Sequence, residues 1–335
     1  MNSTINTYLG RIHVGAMQAH KNLALYPLLS PQELSVDYML LDEALAGNVI
    51  EISEVNQGGS VPELKVVNKS QQMILLLDGE ELVGAKQNRI INTTILIAAN
   101  SITTIPVSCV EQGRWSYRSS KFFSERRVMS PRMRGMKAEQ VNFAKKFNNS
   151  YRADQGAIWD EISFKAARMG AVSPTMAMAD IYEKERPTIQ EYAAQFKTEE
   201  TQVGAVFLIN GKIVGLDSFG KQSTFSKVFH KLIESYALDA IDWIEAEKQA
   251  EDAGQESADR VAAFLENVRN APAEGTPSVA LGTDVRLESD PTIGFALEYE
   301  GALLHLSAFV RGKKAEQQTP YSRMERFSRR RGARI

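Results

Sequence analysis

The sequence predicts an α+β fold: an antiparallel β-sandwich or roll-like N-terminal half, a helical insertion, and C-terminal β-hairpins packed on a long helix. Three observations carry that prediction. Short runs rich in Ile, Val and Thr crowd residues 36–115, as strands require. Helical spacing of apolar residues replaces them over 116–197. Beyond residue 198, two-residue turn signals flank one long apolar stripe. These shifts divide the 335 residues into a β-rich half (1–115), a helical segment with a basic insertion (116–197), an α+β half (198–310) and a basic tail (311–335), with one composite domain as the alternative.

Each element has its own signal. Val49 to Val55 alternates apolar and polar residues, the period of a half-buried strand, and ELKVVN follows Pro62. Asp78-Gly79, between MILLL and EELVG, reads as a type I′ hairpin turn. RIINTTILIA and ITTIPVSCVEQ read as two paired strands around Asn100-Ser101. Residues 116–135 are polar and basic, contain Pro131 and Gly135, and read as a loop. Helices are expected over 136–147 and 156–169, with further starts at Ser173-Pro174 and Pro187-Thr188. AVFLI-NG-KIVGL is the clearest hairpin, and Phe225 to Ile244 then carries a continuous apolar stripe that predicts a helix packed on a sheet. EKQAEDAGQES reads as a polar surface connection, Val261, Phe264, Leu265 and Val268 as a shorter helix, Glu300-Gly301 as a third hairpin turn, and the last 25 residues as a mobile basic tail.

Composition excludes several classes. With 43% hydrophobic and 24% charged residues the chain is neither disordered nor fibrous. Its single cysteine, Cys109, rules out an internal disulfide and any CxxC motif. The first 30 residues lack a signal-peptide pattern, and the longest apolar runs are too short to span a bilayer, so a cytoplasmic protein without a membrane partner is expected. His13, His20, His230 and His305 are too scattered for a zinc hydrolase, and no GxSxG, P-loop or strand-borne GxGxxG occurs. No metal site and no cofactor is specified, although carboxylates alone could hold magnesium.

The net charge of −2 hides a segregation. Residues 114–152 hold 11 Lys/Arg against 2 Asp/Glu, residues 311–335 hold 9 against 2, and the other 271 residues balance at −18. The basic segments either dock on acidic surface of the chain or a second copy, or bind an anion. Residues 114–152 also contain seven aromatics, a footprint of single-stranded nucleic-acid binding or of an amphipathic insertion with aromatic core residues.

The densest polar cluster is DGEELVGAKQNRI, from Asp78 to Ile90, with EQGRW some 20 residues later. Pairing of the intervening strands brings Lys86, Gln87, Asn88 and Arg89 beside Glu111, Arg114 and Trp115. Gly84-Ala85 permits a bulge or a close backbone approach. The grouping supplies what a nucleotide site needs. Arg89 and Arg114 grip phosphate, Trp115 stacks on a ring, and Glu80 or Glu111 binds ribose or acts as the catalytic base. The alternative is a buried salt-bridge network with Trp115 as a core plug. A second candidate set is Asp217, Asp284, Arg286 and His305, with Ser235 and Asp239 one helical turn apart nearby in sequence. Each of these alone reads as a structural residue ahead of a catalytic one, and Cys109, in an apolar strand, as inert core ahead of a nucleophile.

LLLDGEELVGAKQNRIINTTILI followed by TIPVSCVEQGRW resembles the bacterial ADP-ribosylglycohydrolase- and rhodanese/phosphatase-associated (ARPP-type) family. QGAIWDEI with SPT, GAVFLINGKIVGLDSFG with KLIESYALDA, and the LGTDVR and HLSAF segments extend the likeness over roughly residues 8–310. The resemblance implies a gene-neighbourhood link to NAD and ADP-ribose metabolism or to ADP-ribosylation conflict systems, and implies no established reaction or catalytic residue. The expected partner is therefore a nucleotide-like small molecule, ADP-ribose-like or NAD-derived, together with an ADP-ribosylation-related enzyme. Nucleic acid bound by 114–152 and the tail, or a non-enzymatic scaffold role, is the alternative.

Overall fold

The computed structural model describes residues 3–56, 58–244 and 254–311. Helix α1 (Ser3–Leu9) precedes strands β1 (His13–Val14), β2 (Gln18–His20), β3 (Leu23–Leu29) and β4 (Tyr38–Leu40), then α2 (Leu41–Ala46). Eight strands follow: β5 (Ile50–Glu54), β6 (Glu63–Asn68), β7 (Met73–Leu76), β8 (Glu80–Gly84), β9 (Arg89–Ile91), β10 (Ile95–Ile97), β11 (Ser101–Cys109) and β12 (Phe122–Val128). Next come α3 (Pro131–Asn148), α4 (Gln155–Met169) and α5 (Met178–Ala193), the hairpin β13 (Gln202–Ile209) and β14 (Lys212–Phe219), and α6 (Gln222–Asp242). Described residues end with α7 (Gly254–Asn270), β15 (Ala273–Pro277), β16 (Thr283–Glu288), β17 (Thr292–Tyr299) and β18 (Ala302–Val310). The fold is α+β, and no helix among the described residues is long and apolar enough to cross a membrane.

Three sheets organise the strands. The largest runs β1-β3-β13-β14-β18-β17-β16-β15, with β2 also paired to β3. Both of its faces are covered, so its strands alternate between two cores. Leu25, Phe207 and Phe219 face α5 and α6, whereas Tyr26, Val206 and Leu306 face the Val261, Phe264 and Val268 stripe of α7. A six-stranded sheet, β12-β8-β9-β11-β6-β5, and a three-stranded one, β10-β7-β4, enclose a separate aliphatic core that includes Ile52, Val66, Leu76, Ile95 and Ile105. Every strand pair is antiparallel except β4 with β7. The cluster around α5 and α6 takes Leu75, Leu96 and Val110 from the small sheets as well as Phe207 and Tyr236.

Several local expectations are revised. Asp78-Gly79 turns the chain, but only Gly79 has positive φ, +79°, and the strands it joins diverge into different sheets. The reason is that Asp78 is buried against Arg134 and Lys137, so the turn is a corner of the interior rather than a hairpin tip. RIINTTILIA is split at Asn92-Thr93-Thr94: β9 pairs with β11, while β10 leaves to pair with β7. Residues 116–135 contain β12 and the start of α3, because β12 closes the sheet edge along β8 and Pro131 takes the first helical position, where no N–H is needed. Ser173 accepts the Ala177 amide in a turn ahead of α5, and Pro187 lies inside that helix, where Ile181, Tyr182, Ile189 and Tyr192 hold both sides in the core. The Asn210-Gly211 and Glu300-Gly301 turns are hairpins with both φ angles positive, as type I′ geometry demands. The polar connection at 245–253 and the tail beyond Arg311 lie outside the described residues.

Candidate functional site

Two buried polar groups form, one at the end of the six-stranded sheet and one between α3 and the large sheet. The first is built on the turn between β8 and β9. Gly84 (φ +126°) and Ala85 (φ +39°) fold the chain sharply, and a Cβ at Gly84 would fall 2.6 Å from Ser119 Oγ and 2.8 Å from the Lys121 carbonyl. Glycine is required there so that the 116–121 segment can lie against the turn. β9 pairs with β11 through Arg89 and Cys109, which carries the turn to the chain just beyond β11. Gln87 Nε2 donates to the Glu111 carbonyl (2.9 Å) and the Asn88 amide to Glu111 Oε2 (3.1 Å). Glu111 also receives Arg114 (2.6 Å) and the Thr175 hydroxyl (2.9 Å). Arg114 is further spent on the Ala85 and Ser116 carbonyls and on Asn88 Oδ1, and it thereby holds the loop.

Arg89 is fully buried. Its Nη1 reaches Gln87 Oε1 (2.9 Å) and Cys109 Sγ (2.8 Å), while Nε and Nη2 have no hydrogen-bond partner among the protein atoms. The half-exposed indole of Trp115 covers this guanidinium at 5.5 Å and the Lys86 ammonium at 5.1 Å. Lys86 also donates to the Gly58 carbonyl (2.6 Å). Two buried carboxylate oxygens nearby, Glu54 Oε2 and Glu81 Oε2, likewise accept no hydrogen bond. Burial pushes the Glu81 carboxyl up to about 7 against the opposing charge of Arg127. Burial raises the Cys109 thiol to about 11, so it stays protonated at neutral pH.

The second group lies between α3 and the large sheet. Asp217 accepts both Nη atoms of Arg134 (2.9 and 2.8 Å), the Ser307 hydroxyl (2.8 Å) and the Tyr236 hydroxyl (3.1 Å). Burial alone would raise this carboxyl, but Arg134 and His305 outweigh it and hold it far below the usual carboxylate range. Arg134 Nε and Lys137 both bind Asp78, joining the small sheets to the large one. Lys137 is pushed down to about 8 by burial, with Asp78 opposing. His305 sits between Asp217 (Nε2, 3.4 Å) and the Thr94 hydroxyl (Nδ1, 2.7 Å), and burial pushes its pKa down against the opposing pull of Asp217. Thr93 donates to Asp284 (3.3 Å) and accepts from Arg286 (2.6 Å), which grips Asp284 bidentately.

The twelve sequence-predicted residues therefore fall into three places. Lys86, Gln87, Asn88, Arg89, Glu111, Arg114 and Trp115 come together at the first group. Asp217, Asp284, Arg286 and His305 share the second through Thr93-Thr94. Glu80 joins neither: adjacent strand residues face opposite ways, and Glu80 binds Lys231 (2.5 Å), which also holds Asp42 (2.7 Å). Sequence reasoning left out Glu54, Glu81, Asp78, Arg134, Lys137 and Tyr236. The alternation of Glu80 with Glu81 and the i,i+3 spacing of Arg134 and Lys137 were the available signals. Of the basic segment, Arg114, Arg134 and Lys137 are buried in ion pairs, whereas Trp115, Tyr117, Phe123, Phe143 and Phe147 remain exposed.

An α+β protein whose three sheets are joined by buried charge, with one exposed indole over a half-satisfied arginine, is the class this geometry defines. The chain belongs to the ARPP-1 family, the ARG and Rhodanese-Phosphatase-superfamily-associated Protein domain, whose model matches residues 11–309. Comparison with curated proteins and with solved structures returns no match.

Proposed function

We propose that the protein recognises an ADP-ribose-like ligand at the Trp115 face of the first polar group. The observation that carries this is Arg89: a buried guanidinium with Nε and Nη2 unpaired beneath an indole that is 46% exposed. Leaving such donors unmatched costs about 1–3 kcal/mol or more, a cost that a phosphate oxygen would remove. Glu54 Oε2, and Glu81 Oε2 with only the Arg127 ion pair at 3.7 Å, add acceptors that take no hydrogen bond, and ribose hydroxyls are matching donors. Swinging the indole outward would expose Arg89 to the diphosphate and leave a face for the base. In this reading Arg114, Gln87 and Asn88 position the loop, and Glu111, whose oxygens are already engaged, orients it. Glu81, with its carboxyl raised to about 7 by burial against the charge of Arg127, is the proton-exchanging group of this reading. The family's name supports the setting, since it couples the domain to ARG, the ADP-ribosylglycohydrolases, and an enzyme of that class is the partner we propose.

Isothermal titration with ADP-ribose tests the reading on the wild type, Trp115→Ala and Arg89→Ala. Wild type should bind, and Trp115→Ala, a change at an exposed side chain, should weaken binding at least tenfold. No heat with wild type, or wild-type affinity in both variants, would reject it.

A second reading has one observation of its own. Phe143 and Phe147 pack with tilted rings, centroids 4.6 Å apart, on the exposed side of α3, with Lys146 against Phe147. Exposed aromatics beside lysines suit single-stranded nucleic acid. Gel shifts at low salt should then show binding that fades steeply as salt rises and is lost in Phe143→Ala/Phe147→Ala; blank lanes would remove the idea.

A further inference from the structure

We infer that the protein carries a second anion site, on the outer face of β12, that takes a phosphate ester bearing an apolar or aromatic group. A cavity of about 490 Å³ opens between α2, β5 and β12, with Asp42, Glu51, Lys69, Lys121, Phe123 and Arg126 on its wall. That volume suits a small ligand. It shares no lining residue with the Arg89–Trp115 group.

The strand supplies the first argument. The pairing of β12 with β8 breaks between Ser124 and Val128, and within that bulge Arg126 has φ +56°. A non-glycine residue in the left-handed region is strained, and bulges re-aim side chains. Here the bulge places Arg126 on the cavity wall, where its charge acts on Asp42.

Charge supplies the second. Lys121 and Lys69 both converge on one carboxylate, Glu51, at 2.8 and 2.9 Å. Two ammonium groups sharing one carboxylate leave an excess positive charge beside Arg126, within a body that is otherwise acidic. The remaining acidic group of the wall, Asp42, is held by Ser124 (2.5 Å) and by Lys231 (2.7 Å), an ammonium it shares with Glu80, so Arg126 also faces part of its charge, and the wall keeps three cations against two carboxylates. Phe123, 58% exposed, gives the apolar contact.

The test titrates phenyl phosphate and inorganic phosphate into the full chain by calorimetry. Wild type should bind phenyl phosphate several-fold more tightly than inorganic phosphate, and Phe123→Ala should erase that preference. Lys121→Glu/Arg126→Glu, changed at exposed positions and checked for folding by circular dichroism, should lose at least tenfold in affinity. Glu51→Gln, which frees two lysines, should tighten binding a few-fold. Trp115→Ala should bind both probes as wild type does, which separates this site from the one under the indole. The proposal is overturned if wild type gives no heat, if the double variant binds as wild type does, or if binding disappears in Trp115→Ala instead.

Discussion

At the scale of single residues, the clearest contrast is between two buried carboxyls with opposite titration. Glu81 has its folded pKa raised by burial from the usual 4.5 to about 7. Folding therefore takes up a proton between those two values, and stability is lost as pH rises through that window. The full cost above pH 7 is about 3 kcal/mol at 1.4 kcal/mol for each pH unit. Glu81→Gln is uncharged throughout, so it should match wild type below pH 4.5 and exceed it by up to about 3 kcal/mol at pH 8, read from urea unfolding at both values. A difference that does not depend on pH would show that the carboxyl titrates normally. Asp217 has its folded pKa depressed, so its stabilisation is present above the ordinary carboxylate range and is lost only in strong acid. Asp217→Asn leaves Arg134 buried with half its charge unmatched and should cost about 3–5 kcal/mol at neutral pH. A loss under 1 kcal/mol would mean that Asp78 and Ser307 suffice to satisfy Arg134.

At the scale of elements, the same turn chemistry can mean two things, and Gly79 and Gly211 separate them. Both have positive φ, +79° and +69°. A Cβ at Gly211 would meet nothing within 4 Å, whereas at Gly79 it would fall 3.1–3.3 Å from the Arg134 side chain. Gly211→Ala should cost only backbone strain, about 1 kcal/mol, and Gly79→Ala measurably more, since it also displaces the arginine on which Asp78 and Asp217 depend. Equal losses in chemical denaturation would show that the Gly79 corner yields freely. This pair also explains how much of the fold was legible. Asn210-Gly211 lies between strands that pair with each other, so local turn preference and long-range pairing agree. Asp78-Gly79 has the same local preference, but its aspartate is drawn inward by α3, more than 50 positions later, and no local pattern reports that. The helical stripe of α6 and the Lys86–Arg89 approach to Glu111 were readable because both rest on short-range periodicity or one strand pairing. Arg134 and Lys137 were not, because positive charge in a polar stretch looks like surface until its carboxylates are located. Glu80 was misplaced relative to Glu111 because strand parity cannot be assigned before the sheet is known.

At the scale of the whole molecule, the segments set apart by composition are interleaved in space. β3, from the first segment, is an internal strand of the large sheet beside β13, and the core around α6 draws on Leu75 and Leu96 as well as Phe207. Chains of this length commonly unfold in stages, yet the seam between the small sheets and the large one is crossed by buried charge. Asp78 stands on the small-sheet side and Asp217 on the large sheet, with Arg134 bridging both. Separating the halves would expose or strand these ions, which costs several kcal/mol for each ion left unpaired in a nonpolar setting. We propose on this ground that residues 3–311 behave as one composite unit. Scanning calorimetry should show a single transition whose calorimetric and van't Hoff enthalpies agree. Arg134→Met keeps the length of the side chain but leaves Asp217 without its guanidinium, so it should lower that transition as a whole. If the bridge belongs to only one half, the variant would instead split the trace, moving one component and leaving the other at the wild-type temperature. That outcome would return the molecule to two separately folding bodies and would place the Arg89–Trp115 group, on the small-sheet side, in a unit able to bind its ligand without the large sheet.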